Sequence, residues 1–356
     1  MFDKQRVDFL TGFLKRSMDE GAFPGACFGI VSGKERYSGY MGYAQPGPVR
    51  RKMRANSIFD LASLSKVIVT TTAVMILMEG GEIRLQDRVK DILPDYRHEG
   101  TTILELLTHT SGLPAEIKFY KFCRDLDETL SLLYKTDFEY SPDSKVVYSD
   151  LGFMLLGLII ESVSGQTLDS FARKYIAKPL YMKDTCYNPP EELKDRCVAT
   201  EFSQRRGVIV GQVNDGNAYM MGGVSGHAGL FSTLPDLMNF AEMLLNEGCY
   251  AGKKILSPAS IDLMGRSYTD CLGERRGLGW QLKTPGYSMG DLVSDDVMYH
   301  TGFTGTSILV DRRYGLAFVL LTNRAYPSRE NQKLLRLRGY INNIAMGTIT
   351  SGKGAV

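Results

Sequence analysis

Residues 59–66 read Phe59-Asp-Leu-Ala-Ser-Leu-Ser-Lys66, and the chain then stays almost entirely apolar or threonine up to Glu79, before Gly80-Gly81. This composition predicts a helix over 63–79 that is buried on all sides and closed by glycine. A serine and a lysine three residues apart lie on one helix face, one turn apart. The segment therefore predicts a central helix with Ser63 and Lys66 paired at its N-terminal end.

A serine at the start of a helix lies at the positive end of the helix dipole, where its own N–H can stabilise a developing oxyanion. Lys66 can accept the serine proton if its pKa is depressed. A shift from about 10.4 to about 7.4 costs about 4 kcal/mol, so a second group must contribute. Ser-x-x-Lys alone arises roughly once by chance in a chain of this length. The alternative is a capping serine beside a surface lysine.

Sheet-forming segments lie near both ends of the chain, and each end predicts a hairpin because two such segments flank a short turn. The segments between them are mainly helical. The predicted elements are an amphipathic opening helix, strands 26–31 and 35–43, helices 63–79 and 151–163, helix starts at Thr233 and Ser257, strands 307–311 and 316–322, and a last helix 329–346.

Composition excludes several classes of protein. The 356 residues are 44% hydrophobic and 23% charged with a net charge of +2, which is typical of a globular chain and argues against nucleic acid as a partner. No apolar stretch is long enough for a transmembrane segment. Charges near Met1 replace the apolar run of a signal peptide, so we expect a cytoplasmic protein, with a trimmed leader as the alternative. Histidine and cysteine spacing predicts no metal site, and we expect no cofactor.

Two further motifs follow Ser63-x-x-Lys66 in the chain. Tyr148-Ser-Asp150 stands immediately before the predicted helix at 151, and His300-Thr-Gly302 stands just ahead of the C-terminal hairpin. With these motifs in this order, the sequence resembles the serine β-lactamase and penicillin-binding protein superfamily. The resemblance is to its class C-like branch, which includes family VIII-type carboxylesterases and D-amino-acid peptidases. It covers roughly residues 7–346 and extends to Leu106-Leu-Thr-His-Thr-Ser-Gly-Leu113 and Gly226-His-Ala-Gly-Leu-Phe-Ser-Thr233.

The resemblance implies an α/β (α+β) fold of the β-lactamase/transpeptidase type. Its antiparallel sheet comes from both chain ends and is flanked by helices, with a mainly helical region inserted between. We expect one catalytic domain over 1–346, with a sheet part at about 1–60 and 275–346 and a helical part at about 61–274. Residues 347–356 are expected to form a mobile tail.

The resemblance also implies roles for individual residues. Ser63 is the acylated nucleophile, Lys66 its proton partner, and Tyr148 carries the proton between nucleophile and leaving group. Whether Lys66 or Tyr148 is the general base stays open, because the titration of two coupled groups belongs to the pair and need not be assigned to either residue. The backbone N–H of Phe303 pairs with that of Ser63 as the oxyanion hole. The opposite wall of the site is formed by His300, Thr301 and Gly302.

This sequence departs from the family pattern at two positions. Asp150 replaces the usual asparagine, and it either points into the site as a carboxylate or caps the helix that follows. His300 replaces the more usual lysine and removes a permanent cation that would hold a substrate carboxylate. These changes favour esters, amides or short peptides over β-lactams. His227 either reaches the site or is a hydrogen-bonded loop residue, and His109 is interpreted as structural.

The leading functional hypothesis is a serine hydrolase that forms an acyl-enzyme on Ser63 and cleaves an amide, peptide, ester or β-lactam bond. The implied types are class C β-lactamase, D-alanyl-D-alanine carboxypeptidase and carboxylesterase, and the implied substrates are a peptidoglycan-derived peptide, an ester or a β-lactam. The alternative is a penicillin-binding or sensor protein that is acylated without efficient turnover. A catalytically inactive scaffold is disfavoured by the joint presence of Ser63, Lys66 and Tyr148.

Overall fold

The structure is a computed structural model that describes residues 2–47 and 49–350. The strands are β1 (Gly25–Ser32), β2 (Glu35–Gln45), β3 (Arg51–Lys52), β4 (Phe59–Asp60), β5 (Cys186–Tyr187), β6 (Ala199–Ser203), β7 (Gly207–Val210), β8 (Leu230–Ser232), β9 (Cys249–Tyr250), β10 (Lys253–Lys254), β11 (Val297–Thr301), β12 (Ser307–Asp311) and β13 (Leu316–Thr322).

The helices are of three kinds. The α-helices are α1 (Lys4–Asp19), α2 (Thr72–Glu79), α3 (Val89–Ile92), α4 (Ile103–Thr108), α5 (Leu126–Lys135), α6 (Asp150–Ser164), α7 (Leu168–Ala172), α8 (Gly216–Met220), α9 (Leu234–Leu245), α10 (Pro258–Gly265) and α11 (Lys333–Met346). The π-helical segments are Lys66–Thr71 and Arg173–Ala177, and the 3₁₀ segments are Phe119–Lys121, Glu191–Arg196 and Asp270–Leu272.

The central sheet joins the two ends of the chain, as the sequence predicts. Its strand order is β11-β12-β13-β1-β2-β3, and every neighbouring pair is antiparallel. Strand β1 lies in the middle, where Phe28 faces Leu320 on one side and Gly39 on the other. The N-terminal and C-terminal hairpins therefore meet along β1 and β13, and the α/β prediction is confirmed.

Both faces of the sheet are covered, which explains why β1 is apolar along its whole length. Ala26, Phe28 and Ile30 point into a core shared with α1 and α11. Cys27 and Val31 point the other way, into the larger core that contains α9 and the helical region. The molecule is therefore layered, with helices on each side of one sheet.

The central predicted helix differs in detail. Residues 66–71 form a π-helical segment before α2, which ends at Gly80 as expected. The prediction of a helix over 151–163 agrees with α6, which runs from Asp150 to Ser164 and ends at Gly165 with φ +64°. The predicted capping residues Thr233 and Ser257 each accept an N–H from the first turn of their helices.

The last helix begins four residues later than the predicted position 329. Arg324 donates to the carbonyl oxygens of Arg329 (3.4 Å) and Asn331 (2.8 Å), so these groups are engaged outside a helix. Of the segment 347–356, residues 347–350 are docked: Thr348 is buried and its carbonyl oxygen accepts the N–H of Asp3 at 2.8 Å. Residues 351–356 lie outside the described residues.

Within the described ranges, no single helix has the length and hydropathy needed to cross a membrane. The bent pair Asp150–Ser164 and Leu168–Ala177 meets the criteria only when its two helices are taken together, at an angle of 77°.

Candidate active site

The turn that carries Ser63 is held by a buried carboxylate. Ala62 has φ +48°, a left-handed conformation that is uncommon for alanine, and it places Ser63 at the tip of a sharp turn. Oδ1 of Asp60 accepts the N–H of Ala62 at 2.8 Å, and Oδ2 accepts the N–H of Asn214 at 2.6 Å. Asp60 thus connects the turn before Ser63 to the loop at Asn214.

Lys66 lies beneath Ser63 with its side chain fully buried. Its Nζ is 3.1 Å from Ser63 Oγ, 2.7 Å from Asp150 Oδ1 and 3.0 Å from the carbonyl oxygen of His227. Burial opposes the charge of this ammonium, but Asp150, followed by Tyr148, more than offsets it, so the pKa of Lys66 is raised. Lys66 is therefore a cation that donates to the serine oxygen.

Asp150 points into the site, and Ser149 is the residue that caps α6. The Ser149 hydroxyl accepts the N–H of Gly152 at 3.3 Å, whereas Asp150 is the first helical residue and binds Lys66. The interpretation of Asp150 as the helix cap is therefore wrong, because the residue before it fills that position. Its carboxylate remains 21% exposed toward the cavity.

Tyr148 lies among four nitrogen-bearing side chains. The centroid of its ring is 4.9 Å from Lys66 Nζ and 5.5 Å from the guanidinium carbon of Arg276. The His109 ring is 4.5 Å away and the His300 ring 6.0 Å away, centroid to centroid. Ser63, Lys66 and Tyr148 therefore converge on one point from two separate segments of the chain.

The wall opposite Lys66 is the end of β11 and the turn that follows. A Cβ atom added at Gly302 would lie only 2.4 Å from the carbonyl oxygen of Leu61, so this position accepts glycine alone. Phe303, which is 43% exposed, follows it at the rim of the site. In the described part of the chain neither the Ser63 N–H nor the Phe303 N–H donates a hydrogen bond, which leaves both available to a substrate oxygen.

His300 is neutral and presents an acceptor. Its Nδ1 lies 3.0 Å from the carbonyl oxygen of Thr301, and because a carbonyl only accepts, Nδ1 carries the proton. Burial, followed by the charge of Lys66, lowers the pKa of His300 well below its usual range. Its Nε2 is buried without a partner among the described residues. The sequence predicts that His300 does not supply the positive charge of a lysine at this position, and the neutral His300 side chain agrees with that prediction.

A cation is nevertheless present beside His300. Arg276 is only 6% exposed and lines the same cavity. One of its Nη atoms pairs with Glu274 at 2.5 Å, and its buried Nε has no partner among the described residues. Sequence reasoning missed this residue, because nothing in the segment 267–296 shows that an arginine turns inward. It also missed Asp60, although Asp60 stands within the quoted motif.

Two cavities open on either side of Ser63, and both are lined by Ser63, Asp150 and Phe303. The Arg276 cavity has a volume of about 440 Å³ and also contains Tyr148 and the His300-Thr301 edge. The Glu116 cavity has a volume of about 370 Å³ and is rich in charged groups. Its lining includes Glu116, Lys118, Asp215, His227, Arg329 and Glu330.

His227 lines the Glu116 cavity, but both of its ring nitrogens are engaged within its own loop region. Its Nε2 is 2.9 Å from Asp215 Oδ1 and its Nδ1 is 2.8 Å from Ser225 Oγ, so the ring is fully hydrogen-bonded in the loop. Burial opposes the charge of Asp215, but His227 outweighs burial and lowers the pKa of Asp215 to about 2. His227 thus holds an ionised carboxylate at the cavity wall.

His109 supports the backbone around Tyr148. Its carbonyl oxygen accepts the N–H of Val147 at 2.9 Å and its Nδ1 accepts the N–H of Ser149 at 3.0 Å. Its ring also contacts Tyr148, so His109 holds the residues on both sides of Tyr148 as well as Tyr148 itself. Ser65, for which no role is predicted, donates to the carbonyl oxygen of Ala62 at 2.7 Å.

Residues 10–342 match the family model described as Beta-lactamase. The chain belongs to the β-lactamase family. Its relatives include an N-acetylmuramyl-L-alanine amidase of Bacillus subtilis (strain 168), 32% identical over 91% of this chain and 82% of the relative. A Salmonella agona (strain SL483) protein named "Putative D-alanyl-D-alanine carboxypeptidase" is also 32% identical, over 94% of this chain and 86% of the relative.

Solved structures of similar fold include proteins of different named activities. A class C β-lactamase superimposes with a TM-score of 0.78 at 17% identity, covering 95% of this chain and 96% of its own. EstCE1, a hydrolase with promiscuous acyltransferase activity, gives a TM-score of 0.75 at 23% identity, covering 95% of this chain and 98% of its own. These structures establish the fold, and the family makes this chain a serine hydrolase of the β-lactamase type.

Proposed function

We propose that this β-lactamase-family hydrolase acts through an acyl-enzyme on Ser63 and cleaves an amide or peptide bond whose leaving group carries a carboxylate. This is a carboxypeptidase type of reaction. The observation that carries the proposal is the buried ammonium of Lys66, 3.1 Å from Ser63 Oγ, together with Arg276 in the adjoining cavity.

Acylation needs a serine oxygen that gives up its proton and a site that holds the negative charge of the tetrahedral intermediate. The N–H groups of Ser63 and Phe303 hold that charge. The Lys66 cation stabilises the serine alkoxide as it forms. The proton of Ser63 passes to Lys66 as Lys66 gives one of its own protons to the Asp150 carboxylate, 2.7 Å away, and a proton returns through Tyr148 to the leaving nitrogen, so the three groups act as one coupled set.

The position of Tyr148 tells the two cavities apart. The group that delivers a proton to the leaving nitrogen must lie on the leaving group's side of the scissile bond. Tyr148 lines the Arg276 cavity but not the Glu116 cavity. The leaving group therefore occupies the Arg276 cavity, and the acyl portion occupies the Glu116 cavity.

The chemistry of the Arg276 cavity suits an amino acid with a free carboxylate. A guanidinium presents several donors in a fixed plane and binds carboxylates by charge-assisted hydrogen bonds. Arg276 lines this cavity with one Nη atom paired to Glu274, and His300 Nε2, which has no partner among the described residues, is an acceptor suited to an N–H of the leaving amino acid. A relative of similar length is named as a carboxypeptidase, which is consistent with this assignment.

The nucleophile is tested by the turnover of a p-nitrophenyl ester. Ser63→Ala is expected to abolish turnover, while Ser162→Ala, a change on the surface of α6, serves as the matched control and retains it. Full activity of Ser63→Ala would refute the assignment.

The leaving-group assignment is tested with an acyl-D-alanyl-D-alanine peptide and its C-terminal amide. Arg276→Gln is expected to reduce the preference for the free acid by about tenfold or more, as for loss of a charge-assisted hydrogen bond. Arg275→Gln, at a more exposed arginine that pairs with Asp270, is the control. An unchanged preference in Arg276→Gln would show that the carboxylate is bound elsewhere.

A further inference from the structure

A third cavity continues from the Glu116 cavity, away from Ser63. It has a volume of about 660 Å³ and shares four lining residues with the Glu116 cavity: Tyr120, Asn214, Gly216 and Arg329. We name it the Arg206 groove, after one of the arginines that line it. The two cavities therefore adjoin, and an acyl group that starts at Ser63 and extends past the Glu116 cavity next meets this groove.

The Arg206 groove carries an excess of positive charge. Its ionisable lining consists of Lys121, Arg205, Arg206 and Arg329 against the single carboxylate of Glu201. That carboxylate is already bound to Arg329, with contacts of 2.9 and 2.8 Å. The other three cations form no ion pair within the part of the chain that the structure describes.

Arg206 is held in place rather than left free in solvent. Its guanidinium donates to the carbonyl oxygens of Val213 and Asn214, each at 2.7 Å, and lies 4.9 Å from the ring centroid of Tyr219. Burial lowers its pKa from the usual value, with Tyr219 and Glu201 acting in the opposite direction. A half-buried cation fixed by carbonyl groups, and not by a carboxylate, is preorganised for an anion from outside the chain.

The neighbouring Glu116 cavity has the opposite character. Four carboxylates line it, from Glu116, Asp150, Asp215 and Glu330. Asp150 is paired with Lys66 and Glu116 lies 3.9 Å from Lys118, which leaves Asp215 and Glu330 without a lysine or arginine partner among the described residues, since Arg329 is bound to Glu201. An anionic group close to the scissile carbonyl meets carboxylates, whereas one several bonds further along the acyl chain meets Lys121, Arg205 and Arg206.

We infer that the Arg206 groove is a subsite for an anionic group, a carboxylate or a phosphate, on the distal part of the acyl donor. The inference rests on the proposed function, because it takes the Glu116 cavity as the acyl side. It predicts a substrate with a neutral or cationic group near the scissile bond and an anion beyond it. The tyrosines Tyr120 and Tyr219 supply flat faces against which the connecting part of such a substrate packs.

The test uses p-nitrophenyl monoesters of dicarboxylic acids of increasing chain length, each compared with a methyl-ended ester of the same length. The ratio of kcat/KM for the carboxylate-ended to the methyl-ended ester is expected to be below one for short chains. It is expected to rise about fivefold or more once the chain reaches the groove, as for two exposed ion pairs. A long-chain ester that ends in a phosphate distinguishes the two anions. If its kcat/KM ratio to the methyl-ended ester rises more than that of the carboxylate-ended ester, the groove is assigned to phosphate.

The variant for this test is the double substitution Lys121→Gln and Arg205→Gln, at exposed side chains that make no hydrogen bond in the described chain. It is expected to remove the rise with chain length and to leave the methyl-ended series unchanged. Lys15→Gln, at an exposed lysine on α1, is the control and keeps the rise. A ratio that is flat with length, or a rise that survives the double substitution, overturns the inference while leaving the proposed function intact.

A binding measurement separates this inference from a failure of the proposed function. If no ester is turned over, the free dicarboxylic acids are titrated calorimetrically into the unmodified protein and into the double variant. If affinity increases with the length of the dicarboxylic acid in the unmodified protein but not in the double variant, the groove is supported as an anion subsite. Equal affinities for both proteins overturn it.

Discussion

Asp150→Asn changes the charge of the site without changing the shape of the side chain. Asp150 Oδ1 lies 2.7 Å from Lys66 Nζ, and Lys66 is fully buried while the carboxylate is 21% exposed. Two unit charges at that separation attract by about 6 kcal/mol at an effective dielectric constant near 20, and by about 1.5 kcal/mol at the value of water. Because about 1.4 kcal/mol corresponds to one pKa unit, the substitution should lower the pKa of Lys66 by about 1 to 4 units.

The assay is the pH dependence of kcat/KM for a neutral p-nitrophenyl ester. Asp150 holds the pKa of Lys66 above its usual value against the effect of burial, so removal of its charge makes the lysine proton easier to lose. The alkaline limb of the profile, where activity falls as Lys66 loses its proton, should therefore move to lower pH by at least about one unit. Ser149 keeps its role as the cap of α6, so the melting temperature measured beside the assay should change little.

A limb that stays in place in Asp150→Asn would refute this reasoning, because the charge on Lys66 would then not depend on Asp150. A shift of the limb to higher pH would refute it as well. Asp184→Asn, which removes the partner of Arg196 away from the site, is the control and should leave the limb unchanged.

Three further outcomes are expected. Asp150→Asn should raise the ratio of kcat/KM for a carboxylate-bearing β-lactam to that for a neutral ester by about tenfold or more, since a like charge leaves the site, and an unchanged ratio would mean that Asp150 does not select substrates. Gly302→Ala should lower kcat about a hundredfold and destabilise the fold by about 1–3 kcal/mol, because the new Cβ lies 2.4 Å from the Leu61 oxygen; parent-like kinetics would show that the turn yields. Burial holds the pKa of His109 and of His300 well below the usual value, helped by Arg276 for the first and by Lys66 for the second. The unfolded chain therefore binds protons that the folded chain does not, so stability should fall as pH drops below about 6.5, by up to about 1.4 kcal/mol per unit for each histidine. Urea titrations should show a shallower fall for His300→Asn, and equal slopes would contradict the assignment.

The parts of the fold that the sequence predicts are those in which one local pattern suffices. Strands 307–311 and 316–322 agree with β12 and β13 residue for residue, because each is a continuous apolar run bounded by a turn. For the helix predicted over 63–79, the sequence correctly gives the end at Gly80. It does not predict that residues 66–71 are π-helical, since the register of their backbone hydrogen bonds depends on tertiary packing around Lys66.

The candidate site divides in the same way. Ser63, Lys66 and Tyr148 are found from motifs, and the structure brings them together. Asp150 is ambiguous in the sequence because Ser149 beside it is an equally good capping residue, and only the contact with Lys66 decides the matter. Arg276 has no motif at all, because an arginine reveals its burial only through the fold around it.

The central claim is that Ser63 is the residue acylated in turnover. The most direct measurement is intact-protein mass spectrometry after rapid acid quench during reaction with a slowly hydrolysed p-nitrophenyl ester or a β-lactam, followed by peptide mapping. The account predicts one acyl group per chain on Ser63, which disappears as substrate is exhausted. An adduct that never disappears with any substrate would identify a sensor in place of a hydrolase. Turnover with no adduct, or with an adduct on any residue other than Ser63, would contradict the account.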